Sequence, residues 1–226
     1  MAQDHPDLKI IAGDDQKSTI LDRLAPFEDA DALKYISGLG FHWYRDLDFF
    51  FFSLGGDFDK LLTFRKKYPD VFMLATEACE GYLPSWLGTG SGVSLTNADK
   101  SWSRAENYAH DIIEDLNNYV VGWTDWNLAL DTTGGPTWAK NNVDALIVDG
   151  SEFYKQPMFY IMGHFSKFIP AGSKRIEFPK TKTLSNFHRS VTVSVKQTDS
   201  KTFTLSLPAH SMQTVILPAS DATKIL

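Results

Sequence analysis

The chain has 226 residues, 43% of them hydrophobic, 13% aromatic and 22% charged. That composition supports a sizeable packed core and excludes a disordered or low-complexity chain. A formal net charge of −6 leaves no broad basic face for nucleic-acid phosphates, and a single cysteine, Cys79, excludes an intrachain disulfide.

Residues Met1 to Asp7 are polar and hold no apolar run of signal-peptide length, so the chain as written reads as not secreted. The most apolar stretch, Phe49 to Leu54, is far too short to span a membrane. Leu8 to Ala12 reads as a short strand ending at Asp14-Asp15-Gln16. Ala30 to Ile36 reads as a helix stopped by Gly38, and Leu39 to Tyr44 as a second strand. Asp57 to Lys67 has helical spacing at Leu61, Leu62 and Phe64 and ends at Tyr68-Pro69. Val71 to Ala75 is apolar without alternation, as in a strand covered on both faces. Ser103-Arg104-Ala105-Glu106 fits a capping box, followed by an apolar stripe through Tyr108, Ile112, Leu116 and Val120. Val120 to Leu128 reads as a strand and Glu152 to Phe168 as a last helix.

Beyond Pro170-Ala171-Gly172 the pattern changes. Val191 to Val195, Thr202 to Leu207 and Met212 to Leu217 alternate with period two, the mark of a half-buried antiparallel sheet. The first part repeats strand then helix four times, which right-handed crossovers turn into a parallel sheet. A closed (β/α)₈ barrel needs eight such units and typically about 250 residues, so the pattern leaves open a small complete α/β domain or half of a barrel.

In parallel α/β architectures the working residues lie at the C-terminal ends of strands. Those ends carry Asp14-Asp15-Gln16, His42-Trp43-Tyr44, Glu77 and Trp123-Thr124-Asp125-Trp126-Asn127. Carboxylates beside aromatic faces suit sugars, and two placed carboxylates are what glycoside hydrolysis requires. The bland reading of each is structural: Glu77 as a solvated strand end, Asp14 and Asp15 as caps, Cys79 as a small buried hydrophobe. His42 reads as a hydrogen-bonding support, because the six histidines show no metal-ligand spacing. Trp123 and Trp126, three residues apart, point differently, so one of them faces the sugar.

Longer motifs sharpen this reading. Met73-Leu-Ala-Thr-Glu-Ala-Cys79 resembles the nucleophile strand of the lysosomal glucosylceramidases, retaining β-glucosidases of glycoside hydrolase family 30. Val120 to Leu130, with Gly134-Gly-Pro136 and Trp138, resembles their last barrel strand and its loop. Phe153 to Tyr160 and Gly163 to Pro170 resemble the helix leading into their β-sandwich. The resemblance implies an α/β fold: the last four strands of a (β/α)₈ barrel over residues 1–170, then part of a β-sandwich over 171–226. It implies Glu77 as nucleophile, with Tyr44 beside it, Asp125 and Trp126 lining the glucose subsite and Asn141 at the cleft mouth. Trp43 and Asn127, on the same strand ends, join them as substrate-binding candidates. No cofactor is implied. The implied substrate is glucosylceramide, and the implied partners are an anionic lipid surface and a saposin-type activator in the lysosome.

The sequence departs from that family's pattern. The barrel strands carrying the acid/base glutamate, and the sandwich strands before them, have no counterpart ahead of Met1. The loop from Leu83 to Lys100 is longer than usual, and the stretch between Phe165 and Val191 lacks a strand and turn. The expectation is therefore a remnant without turnover, self-associating through its open strand edges. Two rival readings stand beside it: another family 30 activity on a β-1,6-glucan or xylan, and a non-catalytic truncated paralogue. Phe49 to Phe52 is read as a lipid-facing loop or as an inward-packed one.

Overall fold

A computed structural model describes residues 5, 7–44, 57–136, 143, 146–175, 190–198 and 201–216. Asn141, Trp138 and the Phe49 to Phe52 run lie outside them. The chain divides into two compact units, Met1–Phe159 and Tyr160–Leu226.

The first unit is built on a four-stranded parallel sheet. Strand β1 (Ile10–Gln16) leads through a 3-10 turn and the short helices α1 (Ala25–Glu28) and α2 (Ala30–Leu33) to β2 (Ile36–His42). Helix α3 (Phe58–Lys67) leads to β3 (Phe72–Glu77), and α4 (Ala98–Asn117) leads to β4 (Val120–Trp123). Strand order follows chain order, and every pair is parallel, so each crossover moves one place along the sheet. Strands β5 (Ala129–Asp131), β6 (Leu146–Asp149) and β7 (Glu152–Tyr154) form a separate small sheet, after which α5 (Pro157–Phe168) begins. In the second unit β8 (Val191–Thr198) and β9 (Lys201–Leu207) pair as an antiparallel hairpin.

The helices pack on one face of the parallel sheet. Leu39, Phe41, Met73, Ala75 and Val120 from the strands meet Ile20, Phe27, Phe58, Leu61, Phe64 and Tyr68 in one apolar cluster. The opposite face, which lines the interior of a barrel, carries larger residues against glycines. A Cβ on Gly38 would stand 2.2 Å from the Phe72 ring, and one on Gly40 would stand 3.0 Å from Ile11 and Thr76 side chains. Gly38→Ala therefore overpacks this face and lowers stability by about 1–3 kcal/mol, as a urea titration would read. An unchanged midpoint would mean that Phe72 swings away freely.

The structure corrects several sequence expectations. Gly38 does not stop a helix; α2 ends at Leu33, and Gly38 lies inside β2, where only a residue without Cβ lets Phe72 approach. Asp14, Asp15 and Gln16 lie within β1, because parallel pairing with Phe41 and His42 continues past Ala12. Helix α4 starts five residues before the expected capping box. Asn97 caps it by accepting from the Lys100 N–H at 2.9 Å, and Ser103 instead donates to Asp99 O. Strand β4 ends at Trp123, and Glu152–Tyr154 is a strand turned back on β6 at Gly150, whose φ of +61° suits glycine. Among the described residues 212–216 join no ladder, so the expected third strand of the C-terminal sheet is not formed there.

Candidate active site at the C-terminal rim

Each strand pairing slips by one residue near its C-terminal end. Asp14 is extra between the Gly13–Gly40 and Asp15–Phe41 pairs, and Thr76 is extra between Phe41–Ala75 and His42–Glu77. A further shift lies between the Met73–Val120 and Ala75–Trp123 pairs. Such bulges re-aim side chains where a strict two-residue alternation would bury them. Asp14 adopts the left-handed conformation, φ 59°, at its bulge.

The result is a connected set around Glu77. Tyr44 donates its hydroxyl hydrogen to Glu77 Oε1 at 2.9 Å, and its oxygen lies 3.3 Å from Cys79 Sγ. Burial, then the Cys79 and Glu77 neighbours, pushes the Tyr44 phenol far above its ordinary range, so it remains a donor at any working pH. His42 Nε2 lies 3.0 Å from Asp14 Oδ1 and 3.9 Å from Glu77 Oε2. Thr76 donates to the same Asp14 oxygen at 2.7 Å; this bond, followed by His42, holds the Asp14 carboxyl below its usual value. Asp14 was expected as a strand-end support, and it is joined to Thr76 and His42 across two bulges.

A second group lies at the end of β4. The Thr124 and Trp126 amides donate to Ala75 O and Ala78 O, which continues the β3–β4 seam past Glu77. Asp125 accepts from the Tyr108 hydroxyl at 2.8 Å and from the Trp126 amide at 2.9 Å. Burial lifts its carboxyl to about 6, against the pull of those two donors. Its contribution to stability is fully present below the unfolded value of 3.8 and is lost as pH rises through about 6, so this carboxyl favours acid, whereas that of Asp14 favours neutrality. Trp126 is 46% exposed beside it. Cys79 is buried, and burial pushes its thiol up to about 12, which makes it an inert small side chain.

The two remaining described candidates are Trp43 and Asn127. Trp43 is buried, stacked edge-on against Tyr108 and Trp123, with its indole N–H donated to Cys79 O at 3.2 Å. The Asn127 amide nitrogen is buried without a hydrogen-bond partner among the described residues. Tyr108 is the residue the sequence reading assigned only to an apolar stripe; a tyrosine on a buried helix face must place its hydroxyl, and that requirement was the available signal.

Carboxylates, phenols and indoles gathered at the C-terminal rim of a parallel sheet with helices outside it are the makings of a (β/α)₈-barrel hydrolase. A family model described as the Glycosyl hydrolase family 30 TIM-barrel domain matches residues 2–169, and the chain belongs to that family, its four-stranded parallel sheet falling within the matched domain. It is 43% identical over 204 residues to a protein named putative glucosylceramidase 3 from Caenorhabditis elegans, covering 88% of this chain and 35% of that one. It is 38% identical over 226 residues to the lysosomal acid glucosylceramidase of Mus musculus, covering 98% and 38%. The chain thus spans little more than a third of the length of these relatives. Its fold resembles that of SrfJ from Salmonella typhimurium, with a TM-score of 0.76 at 22% identity, covering 92% of this chain and 47% of that one.

Proposed function

We propose that this chain carries the nucleophile half of a retaining β-glucosidase that acts on glucosylceramide. The observation that carries the proposal is Glu77 at the end of β3, gripped through one oxygen by Tyr44 with the other 3.9 Å from His42 Nε2, in a chain whose relatives bear glucosylceramidase names. In the reaction Glu77 Oε2 attacks the anomeric carbon and the ceramide oxygen leaves, forming a glucosyl ester that water then hydrolyses. His42, bridged to Asp14, limits where that oxygen can turn. Asp125 and Trp126 offer a hydrogen-bonding carboxyl and an aromatic face to the glucose ring. We assign Trp43 to the support of this rim rather than to sugar contact, because it is buried and its indole N–H is already engaged. Asn127 and Asn141 complete the assigned substrate-binding set.

The acid that protonates the leaving oxygen must stand about 5–5.5 Å from the nucleophile, across the glycosidic bond. We assign that role to a glutamate on the fourth strand of the complete barrel, as the family pattern implies. A rim carboxyl, Asp125, that favours acid fits a lysosomal setting, with an anionic membrane surface and a saposin-type activator as partners.

A 2-deoxy-2-fluoro-β-glucoside carrying dinitrophenolate tests the nucleophile apart from the acid, because that leaving group departs unprotonated. Peptide mass spectrometry should place the trapped sugar on Glu77; a sugar on Asp14 or Asp125 would reverse the assignment. Presenting glucosylceramide and a β-1,6-glucan to the completed barrel separates the lipid reading from a polysaccharide one.

A further inference from the structure

The strand ends also hold a buried charged cluster that the proposed chemistry does not use. Lys17, the residue after β1, is fully buried, and its ammonium lies 2.8 Å from Asp111 Oδ1 and 3.0 Å from Asp115 Oδ1. It also sits 3.9 Å from the centre of the Phe58 ring. Asp111 and Asp115, one turn apart on α4, are both buried. The other Asp111 oxygen accepts the Trp123 indole N–H at 2.7 Å.

Trp123 belongs to a cluster of three rings, 4.8 Å from Tyr108 and 6.0 Å from Trp43, with Trp43 5.2 Å from Tyr108. Each ring has one polar handle, and each handle points to a different place. Trp123 reaches Asp111, Tyr108 reaches Asp125, and Trp43 reaches the carbonyl of Cys79, two residues past Glu77. Rings this closely packed do not turn independently. We propose that Asp111 is a positioning residue: held by Lys17, it fixes the angle of Trp123 and thereby the Tyr108 hydroxyl on Asp125. This rests on the reading of Asp125 as a glucose-subsite carboxylate.

The cluster's charges make the variants interpretable. Lys17 faces two carboxyl groups, and burial followed by the Asp111 charge pushes the Asp115 carboxyl well above its usual value; without Asp111 the Asp115 carboxylate is left to pair with Lys17, so Asp111→Asn and Asp111→Leu are both expected to fold. Asparagine keeps an acceptor for the indole; leucine does not. The readout is the full 226-residue chain labelled with 5-fluorotryptophan, whose Trp126 fluorine signal is assigned by its loss in Trp126→Phe. Trp126 donates its amide to Asp125, so its signal should titrate with a midpoint of about 6. The other titratable groups facing Asp125 are Tyr108 and Cys79, and both stay neutral across that range.

Asp111→Leu should raise the midpoint by about one pH unit, the loss expected of one hydrogen bond to a carboxylate, and Asp111→Asn should leave it in place. Tyr108→Phe, which removes the donor itself, should match the leucine variant. A purely electrostatic role predicts no rise in either variant, because the lost negative charge either lowers the midpoint or is replaced by an ionised Asp115. A space-filling role predicts that asparagine and leucine behave alike. Either result overturns the proposal, as does a midpoint unmoved by leucine but raised by Tyr108→Phe. If the leucine variant does not fold, Trp123→Phe takes its place, since it keeps a ring and has no N–H. The titration needs no turnover, so its failure would leave the glycosidase reading standing, to be tested separately by the labelling of Glu77.

Discussion

Glu77→Gln should lower kcat for an aryl β-glucoside by at least about 10⁴-fold once the chain is joined to the first half of the barrel. Glutamine keeps the Tyr44 contact, because its amide carbonyl accepts the same hydroxyl, so the fold and ground-state binding should persist. What it lacks is a carboxylate oxygen able to attack. The loss should therefore fall on kcat, with KM little changed. A small external nucleophile supplies a second check: with Glu77→Gly, azide entering the vacated space should give an α-glucosyl azide of inverted configuration. A loss under tenfold would mean that the nucleophile lies elsewhere on the rim. For the 226 residues by themselves the expectation is no turnover of an aryl β-glucoside, since Asp14 and Asp125 belong to the same run of neighbouring strand ends as Glu77, whereas the acid must face it across the sugar. Robust turnover removed by Glu77→Gln would show that one of them, or a second chain, supplies the acid.

The second large effect concerns Arg104. Its guanidinium is fully buried and donates to Gly92 O at 2.7 Å, Thr89 O at 3.0 Å and Gly90 O at 3.1 Å. Glu80, also buried, accepts from Thr89 at 2.5 Å and Asn107 at 2.6 Å, with Arg104 Nε 4.0 Å away. Burial raises the Glu80 carboxyl, and these three partners oppose the rise. One planar cation thus organises three carbonyls of the loop that follows the nucleophile. Arg104→Met leaves them unsatisfied beside a buried acid and should destabilise the chain by about 3–5 kcal/mol. Melting should fall by roughly 10 °C, and protease should cut first between residues 83 and 97. Arg104→Lys should not restore it, because one ammonium cannot span three carbonyls arranged for a fork. A melt unchanged within about 2 °C would show that the loop is held by its own turns.

Much of the fold was legible because its signals are local. The apolar run before Glu77, the spacing of Leu61 and Phe64, and the period-two pattern of Thr202 to Leu207 each correspond to an observed element. The strand ends were legible because parallel sheets put chemistry there. What stayed hidden depends on pairing between distant residues. The bulges at Asp14 and Thr76 exist only relative to β2, so no pattern within β1 or β3 announces them. Arg104, Asp111 and Asp115 fall on the buried stripe of α4, but a stripe sought as apolar passes over charges. Their partners, Glu80 and Lys17, lie 24 and 94 residues away from Arg104 and Asp111 respectively in the sequence. Ser103 misled for the converse reason: a capping box is a four-residue pattern, and a serine inside a helix satisfies itself on the preceding turn.

The slips in strand pairing also bear on how the barrel is completed. Regular strands can slide past one another by two residues and find equivalent partners, so their seams are forgiving. Here β1 carries an extra residue near its outer end, and β4 is offset against β3. Both belong to the strands that any completing polypeptide must join. A bulge also bends and twists the strand that carries it, so the outer edges of β1 and β4 should accept a newcomer in one register more readily than two residues away from it. Two separately made halves of this barrel would thus be selective about each other before any side chain of the active site has been recognised.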